Sequence, residues 1–584
     1  MTNLYIIFMR DLKNKLAILA LILTLSLGFP VKAAPLIISS DYNSTFIFDD
    51  IAGNTYDSLT INQGVTVQGV VFQSIGPSFS LISSFNNYGH SGDVRLASLE
   101  VQELNNYGVM GNVYMDTSNS ALEINNYGTM GEIDFGEEGP ASIIKNSGLI
   151  SSGGDAIRFD NAGTTYNLIL LPGSQIIGNL AFQNNVNVGI GSGTQETRVY
   201  HYTGAFNLEP YDTHNLTVVI SDSDPNNKTF TVMSNITAVD PTPQNAGKIS
   251  TQIVEIISSH LDEDRLDDAG TNESDQCNKA NKNNSTALNK CYAVAKFNKH
   301  KTFYWSEAFG SYDQRSSYKS SGDLEISTGG VIFGADKAIS SNQRLGGFIG
   351  ALDGNTDIIG GPSNKILRSI DSQGVFGGGY LSTNYKSHFV DLALVNGLIQ
   401  NNSNRAVNSN EMAVSNYKDF FFTPSITIGK PITLPKFNFP LTASTTMRYT
   451  GQIVESAQES GSSADIKTGE KYLSMVSGRV QLETNNKGIN LAGGNFEINF
   501  KAGLEANRVI GNNKNDLTIN GEHVTLTASD RKYNIDEIIG VDMSYDLVEN
   551  LQFYTNIEAS RGISKGLSDN VLGLYGKLGL KWSF

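Results

Sequence analysis

Few residues of this chain have the types and spacing that catalysis needs. His90, His201 and His214 are isolated, and the sequence has neither an H-E-x-x-H zinc motif nor a G-x-S-x-G nucleophile elbow. The stretch Gly89-His90-Ser91-Gly92 comes nearest to a nucleophile motif, but it lies inside a repeat, where a structural role is expected. The sequence therefore predicts no catalytic residue, no cofactor and no metal ligand.

One pair of carboxylates is compatible with an alternative hypothesis, namely that the protein is a hydrolase. Asp155 and Asp160 could act on a polysaccharide as general acid and base. Acidic residues are also common in turns, and nothing else in the sequence supports catalysis. We therefore expect a protein that is not an enzyme.

The two cysteines form a second candidate for chemistry. Cys277 and Cys291 are the only cysteines among 584 residues, which excludes a disulfide scaffold and a multi-cysteine zinc module. A disulfide that closes a loop of about 15 residues contributes about 3 kcal/mol in the chain-entropy model. In an oxidising compartment we expect the two to pair, with two free thiols as the alternative.

Composition limits the partners. The chain has 42 Lys and Arg against 58 Asp and Glu, a net charge of −16. A chain this acidic repels phosphate backbones, so the sequence predicts no nucleic-acid partner. No apolar run of membrane-helix length follows the first 30 residues.

Residues 1–33 read as a signal peptide. Basic residues precede an apolar core over 16–29, and Val31-Lys32-Ala33 supplies small enough residues before a cleavage point between Ala33 and Ala34. An uncleaved membrane anchor is the alternative, but the core is short for a full span. The mature chain is therefore expected to begin near Ala34 in an oxidising compartment.

Residues 34–238 contain a repeat of about twenty residues. The tetrapeptide Asn-Asn-Tyr-Gly occurs at 86–89, 105–108 and 125–128, and Asn146-Ser147-Gly148 is a degraded fourth copy. Such a period is typical of stacked coils, so we predict a parallel β-helix of about eight to ten coils. The repeated glycines are expected at corners with positive φ, and the asparagines are expected to stack from coil to coil. The repeated tyrosines are expected to cap the coil edge, with a sugar-stacking face as the alternative.

A linker over 239–301 separates this repeat from the rest. Residues of about 244–262 are predicted to form a helix, because apolar residues recur at intervals of three and four. After this helix the sequence lacks hydrophobic periodicity up to residue 301, and both cysteines lie there. The periodic residues are Ile249, Ile253, Ile256, Ile257 and Leu261.

From residue 302 onward the sequence alternates between apolar and polar residues over long segments. Segments such as 496–507 reach the 9–11 residues that a tilted membrane strand needs, whereas a soluble sandwich uses about five or six. The gaps between segments alternate long and short, as in outer-membrane barrels. We therefore predict an all-β chain whose residues 302–584 form a 12-stranded antiparallel transmembrane barrel. The predicted strands are 302–313, 324–336, 344–353, 370–383, 386–399, 418–430, 437–451, 471–484, 494–507, 534–547, 551–561 and 573–584.

The chain resembles classical monomeric autotransporters, the type Va secretion proteins. Residues 304–312, 329–336 and 345–351 resemble the family's translocator domain, and 170–178 with 240–242 resemble the region before its pore helix. The resemblance implies that the predicted helix lies in the pore. It also implies that the C-terminal residues form the signal read by the outer-membrane barrel assembly machinery. These are Lys577, Gly579, Leu580, Trp582 and Phe584.

The resemblance implies a self-secreting protein of a Gram-negative outer membrane. The barrel would translocate and anchor the passenger, residues 34–238, at the cell surface, with periplasmic chaperones and outer-membrane lipid as partners. The low-charge passenger is expected to be a non-catalytic adhesin or binding module for an unknown surface ligand. A channel with an N-terminal plug and a secreted β-helical hydrolase are the alternatives.

Overall fold

The computed structural model describes the chain in segments. These are 34–49, 56–73, 81–97, 100–115, 122–136, 142–160, 164–191, 197–209, 216–222, 228–234, 242–270, 302–315, 323–340, 342–360, 365–385, 388–407, 411–434, 439–484, 488–491, 494–511, 514–527, 533–548, 550–562 and 571–583. Residues 1–33, both cysteines and Phe584 lie outside them, so the signal peptide, the disulfide and the terminal residue of the assembly signal stay predictions. Two compact units are formed. The first, the solenoid unit, extends to Gly189 and includes Tyr202–Glu209, and the second, the barrel unit, comprises Ile190–His201 and the chain from Pro210.

The solenoid unit is a parallel β-helix of about six turns. Equivalent strands of successive turns pair in parallel, as where Asn106 lies opposite Asn126 and Asn126 opposite Asn146. Its interior is filled by apolar side chains such as Phe72 and Phe85. The strands are β1 (Ala34–Ile38), β2 (Tyr42–Asp49), β3 (Tyr56–Ile61), β4 (Thr66–Gln73), β5 (Leu81–Asn87), β6 (His90–Leu96), β7 (Glu100–Asn106), β8 (Val109–Met110), β9 (Val113–Met115), β10 (Leu122–Asn126), β11 (Thr129–Met130), β12 (Ile133–Phe135), β13 (Ser142–Asn146), β14 (Leu149–Phe159), β15 (Tyr166–Leu170) and β16 (Gln175–Ile190).

There are fewer turns than the eight to ten predicted, for two reasons. Later turns are longer than twenty residues, since Ile144 lies opposite Leu168. The last part of the predicted repeat region also leaves the coil pattern. After β17 (Arg198–Glu209), strands β18 (Leu216–Ser221) and β19 (Lys228–Ser234) pair antiparallel as a hairpin.

The repeated glycines have a different role from the one predicted. Gly89, Gly108, Gly128 and Gly148 do not have positive φ. A Cβ at Gly128 would instead overlap the carbonyl oxygen of Gly108, and the same overlap recurs between Gly148 and Gly128. The coil corners approach one another too closely for a side chain, so the repeat selects glycine by contact rather than by dihedral angle.

The repeated asparagines stack as predicted. The amide of Asn87 donates to Oδ1 of Asn106 at 2.9 Å, Asn106 donates to Asn126 at 2.9 Å, and Asn126 donates to Asn146 at 2.8 Å. All four side chains are fully buried. Each of the first three also donates to a backbone carbonyl, as Asn126 does to that of Leu149 at 3.1 Å. A buried column of amides that satisfies its own donors can therefore run through the stack without an unpaired-group penalty.

The barrel of the second unit has twelve antiparallel strands. Its first strand pairs with its last over Phe303↔Ser583 to Arg315↔Val571, which closes the cylinder. The strands are β20 (Thr302–Arg315), β21 (Asp323–Ser340), β22 (Gln343–Gly360), β23 (Lys365–Tyr385), β24 (His388–Ala406), β25 (Met412–Leu434), β26 (Phe439–Val454), β29 (Lys471–Thr484), β31 (Gly494–Gly511), β34 (Tyr533–Val548), β35 (Leu551–Gly562) and β36 (Val571–Ser583). The predicted strand number is confirmed. The strand Lys471–Thr484 has the predicted bounds, and the other eleven strands are longer than predicted.

Three of the connections between barrel strands contain further strands. Strands β27 (Ala457–Gln458), β28 (Ile466–Thr468), β32 (Lys514–Ile519) and β33 (Glu522–Thr527) form a small antiparallel sheet, here called the loop sheet. A short strand, β30 (Ile489–Leu491), pairs with β31 at the opposite end of the barrel.

One helix, α1 (Thr242–Gly270), precedes the barrel and is longer than the predicted 244–262. Pro243 falls in its first turn, where a missing N–H costs nothing. In the part of the chain that the structure describes, no helix is long and apolar enough to cross a membrane.

Candidate functional site: the barrel lumen

The lumen of the barrel has two chemically different walls. Strands β20 to β25 line one wall with aromatic and aliphatic side chains, all of them buried. The other strands form the charged wall and supply most of the paired charges, and Glu307, Asp313 and Asp336 add charged side chains from β20 and β21. The residues of the apolar wall are Trp305, Phe309, Ile332, Phe348, Leu352, Phe376, Tyr380, Val395, Ile399 and Phe421.

Glycines in neighbouring strands make room for the rings of the apolar wall. A Cβ at Gly334 would overlap the indole of Trp305, and one at Gly350 would overlap the ring of Phe376. The ring of Phe421 lies against Gly397 in the same way. The Gly-rich strands therefore let large side chains lie flat against the inner wall and leave a channel wide enough for α1.

The apolar face of α1 packs on this wall. All five residues that the periodicity selected lie in the lumen, buried in one cluster with the wall, and Val254 joins them. They are Ile249, Ile253, Ile256, Ile257 and Leu261. At the start of the described side chains, Gly247 contacts Met475 so closely that a Cβ would overlap the methionine side chain.

The polar face of α1 meets the charged wall. The carboxylate of Glu255 lies 2.8 Å from Nη1 of Arg448 and 3.3 Å from Nη1 of Arg479. These arginines also pair with barrel carboxylates, Arg448 with Glu505 at 2.9 Å and Arg479 with Glu558 at 2.7 Å. Because a buried charge is costly without partners, this network favours one orientation of the helix.

A second group of polar contacts holds α1 further along the helix, at His260. Nε2 of His260 lies 2.7 Å from Oδ2 of Asp336, and the His260 ring stacks on Trp305 with 4.7 Å between centroids. The hydroxyl of Tyr380 donates to Asp336 at 2.8 Å and accepts from the Trp305 indole at 3.0 Å. Nearer the start of α1, Lys248 pairs with Asp313. The helix is thus attached at several levels of the lumen.

The residues of the C-terminal signal divide between the two faces of β36. Lys577 points inward, where its Nζ lies 3.2 Å from Oε2 of Glu307, and Gly579 lies under the ring of Tyr554. Leu580 and Trp582 are 45% and 51% exposed on the outer face. That face presents apolar residues to lipid, as the alternation predicted.

Sequence reasoning missed the apolar wall and the polar contacts of the helix. Period-two alternation led us to expect one lipid face and one polar face. In the strands of 329–336, 345–351 and 374–380, however, both faces are apolar and glycines are frequent. That pattern was the available signal, whereas no pattern pointed to Glu255 or His260, whose partners are distant in sequence.

Of the two carboxylates considered for chemistry, Asp160 donates its backbone N–H to the Phe135 carbonyl at 3.3 Å, and Asp155 contacts an arginine. Oδ2 of Asp155 accepts from Arg158 at 3.3 Å, and the nearby Asp134 carboxylate raises the pKa of Arg158. His90 and His201 are exposed, and His214 lies outside the described residues. Within the described segments, no group of three or more His, Cys, Asp or Glu side chains could hold a metal ion.

The tyrosines of the repeat form a stacked column. The rings of Tyr88 and Tyr107 are 4.7 Å apart and 4° from parallel, and those of Tyr107 and Tyr127 are 4.9 Å apart and 7° from parallel. Their facing surfaces cover one another, while each of the three residues stays 46–49% exposed. Ring contact also raises the pKa of Tyr107, mainly through burial and then through its two tyrosine neighbours.

The barrel is similar to one known protein family in sequence and to several solved structures. The family model described as "Autotransporter beta-domain" matches residues 304–558. Solved structures similar to this chain include the translocator domain of the autotransporter NalP from Neisseria meningitidis, at 10% identity and a TM-score of 0.39 over 49% of this chain and 90% of that one. Another is the transport unit of the autotransporter AIDA-I from Escherichia coli, at 13% identity and a TM-score of 0.35 over 48% of this chain and 90% of that one. No curated protein matches this chain in sequence.

The sequence match begins in β20 and ends in β35, so it includes every barrel strand except β36. Together with β36, these strands form the closed barrel of twelve strands described above. Residues 304–558 are therefore an autotransporter beta-domain, and the barrel to which they belong is an outer-membrane translocator barrel.

Proposed function

We propose that the barrel translocates the N-terminal solenoid and then anchors it at the cell surface, where it acts as a non-catalytic adhesin or binding module. The observation that supports anchoring is that α1 lies in the lumen and contacts the barrel on two sides. Its apolar residues pack on one wall, and Glu255 pairs with Arg448 and Arg479 on the other. A helix held on both sides stays in the pore and keeps the chain attached to the membrane.

Several features support a non-catalytic passenger. The beta-domain is not itself catalytic. In the solenoid, the carboxylate of Asp155 is engaged by Arg158, and the repeated residues serve the stacking of the coils. The outer-membrane setting supplies lipid as a partner, and we further propose that barrel assembly machinery and periplasmic chaperones deliver the chain there.

Protease treatment of intact cells tests surface display. An epitope placed just after residue 34 should be removed from whole cells by added protease, while an epitope on a periplasmic marker stays intact. A solenoid that remains protected on intact cells, and becomes sensitive only after the outer membrane is opened, would contradict the proposal.

Conductance separates this proposal from a channel with a plug. Full-length protein in a planar bilayer should show an occluded pore, and the substitution Glu255→Ala should raise its open probability by weakening the seat of α1. Ser258→Ala, on the same helix, is the control. Stable conductance of the unsubstituted protein, equal to that of the variant, would favour a channel.

A further inference from the structure

The loop sheet contacts a part of the chain that precedes α1. Residues 197–201 and the hairpin β18–β19, which belong to the same compact unit as the barrel, are here called the stem. Val219 and Met233 of the hairpin are buried in one cluster with Ile466, Leu517 and Ile519 of the loop sheet. The apolar faces of the hairpin and of the loop sheet therefore cover each other.

A hairpin tip adds polar contacts to this cluster. Asn520 and Gly521 connect β32 to β33 with φ of 50° and 85°, the Asn-Gly pattern of a tight two-residue turn. The carbonyl of Asn520 accepts from Ser221 at 3.2 Å, and its side-chain amide donates to Thr231 at 3.3 Å. The turn thus places one residue against both strands of the stem hairpin.

A hydrogen bond from a buried arginine joins the stem to the barrel at a second point. The guanidinium of Arg405 pairs with Glu459 at 2.5 Å and donates to the carbonyl of Ala464 at 2.6 Å. Its Nη1 donates to Oγ1 of Thr197 in the stem at 2.8 Å, and Arg405 is fully buried. Beside it, Val199 of the stem packs against a small cluster of Val407, Ala413 and Ala464.

We propose that the loop sheet is a docking platform for the stem, which keeps the passenger on the cell even when the chain is cut between the stem and α1. The contacts are of the kinds that hold separate chains together, namely a fully buried apolar cluster and hydrogen bonds, one of them donated by the buried Arg405. The intact linker only raises the local concentration of the stem at the platform. This inference rests on the proposed surface display.

A cut at a chosen position tests the platform in the full-length protein. A recognition sequence for a site-specific protease, with flexible spacers, is inserted within 235–241, and intact cells are treated until the chain is fully cleaved on a denaturing gel. The cleaved passenger should sediment with the cells and leave them on heating. The proposal would be wrong if the cleaved passenger of the protein that carries only the inserted site appeared in the supernatant.

Two adjacent residues of β18 supply a matched pair. Val219 is 6% exposed in the cluster, whereas Ile220 is 41% exposed on the other face of the strand. Val219→Asp should raise the released fraction by about tenfold or more, since a buried unpaired charge costs more than the roughly 1.4 kcal/mol that a tenfold change requires. Ile220→Asp should release no more than the parent, and equal retention of both variants would contradict the proposal.

A substitution in the loop sheet tests whether release could instead result from misfolding of the stem. Leu517→Asp alters the loop sheet and leaves the passenger sequence unchanged, so it should release the cleaved passenger as Val219→Asp does. In each variant the uncleaved chain must reach the surface and the barrel must remain heat-modifiable. A chain that the protease cannot cut on intact cells would contradict surface display itself, whereas cutting followed by release contradicts the platform alone.

Discussion

The solenoid and the barrel consist of β-strands, but they differ in which strands pair. The solenoid pairs strands that are near one another in sequence, and the barrel also pairs its first strand with its last. In the solenoid each strand pairs with equivalents about one turn away, as Asn106 does with Asn126. In the barrel the first strand pairs with the last, so Phe303 lies opposite Ser583. A stack of local pairs can grow from one end. A barrel, in contrast, keeps two edge strands with unpaired backbone groups until its first and last strands meet.

The difference suits the two tasks proposed for them. A solenoid can form coil by coil as it emerges, and each added coil covers the edge of the previous one. The barrel gains its full stability only when β20 meets β36 in the membrane, where unpaired backbone groups are costly. Damage to one coil should therefore stay local, whereas damage at the barrel seam should affect the whole unit.

The largest effect is expected at the barrel seam. Gly579→Val would push a side chain into the ring of Tyr554, which donates to Glu307 at 2.6 Å beside the seam. Overpacking of this kind costs about 3 kcal/mol, so heat-modifiable barrel and surface passenger should both be lost. Gly576→Val is the control, because its Cβ would meet only the Asn556 carbonyl at 3.8 Å. Equal barrel yields for the two variants would mean that closure tolerates local damage.

A smaller and local effect is expected in the solenoid. Gly128→Ala would place a Cβ on the carbonyl of Gly108 and should lower passenger stability by about 2 kcal/mol. The measurement is the urea midpoint of the passenger, with barrel heat-modifiability unchanged. Gly153→Ala is the control, since its Cβ would meet nothing within 4 Å. Loss of the barrel along with the coil would contradict the independence of the two units.

A still smaller effect is expected from the amide column. Asn126→Ala leaves the Leu149 carbonyl and the Asn146 side-chain oxygen without their donor, which should cost about 1–2 kcal/mol. The half-buried Asn86 donates to Ser84 and accepts from Asn105. Asn86→Ala should therefore cost less than half as much, because water can replace these bonds. The two urea midpoints compare them directly, and equal values would show that burial of the column does not matter.

The smallest effect is a pH dependence in the solenoid. The hydrogen bond from Lys145 lowers the pKa of Glu123 from 4.5. A lowered carboxylate pKa contributes stability above the unfolded value, and this contribution is lost as the pH falls through the folded value. Both side chains are partly exposed, so the effect is small. Lys145→Gln should flatten the dependence of the urea midpoint on pH below about 4.5; an unchanged slope would exclude this pair.

Much of the fold followed from local patterns. The strand number of the barrel and the stacking in the solenoid could be predicted because period-two alternation and a twenty-residue repeat are properties of neighbouring residues. The corner glycines were located correctly but explained wrongly, since close approach between coils is visible only when Gly108 and Gly128 are stacked. The extent of barrel strands such as β25 was underestimated, because hydrogen bonding to neighbours continues strands beyond their apolar segments.

The sequence by itself determined which segments coil, which cross the membrane and which apolar residues of α1 share a face, since each depends on spacings of a few residues. Only the tertiary structure decided what those faces meet. The pairing of Glu255 with Arg448, of His260 with Asp336 and of the stem with the loop sheet joins residues 76 to 299 positions apart. Such contacts form only when the barrel closes and brings distant residues together. A pattern over a few neighbouring residues cannot predict which distant residues will meet.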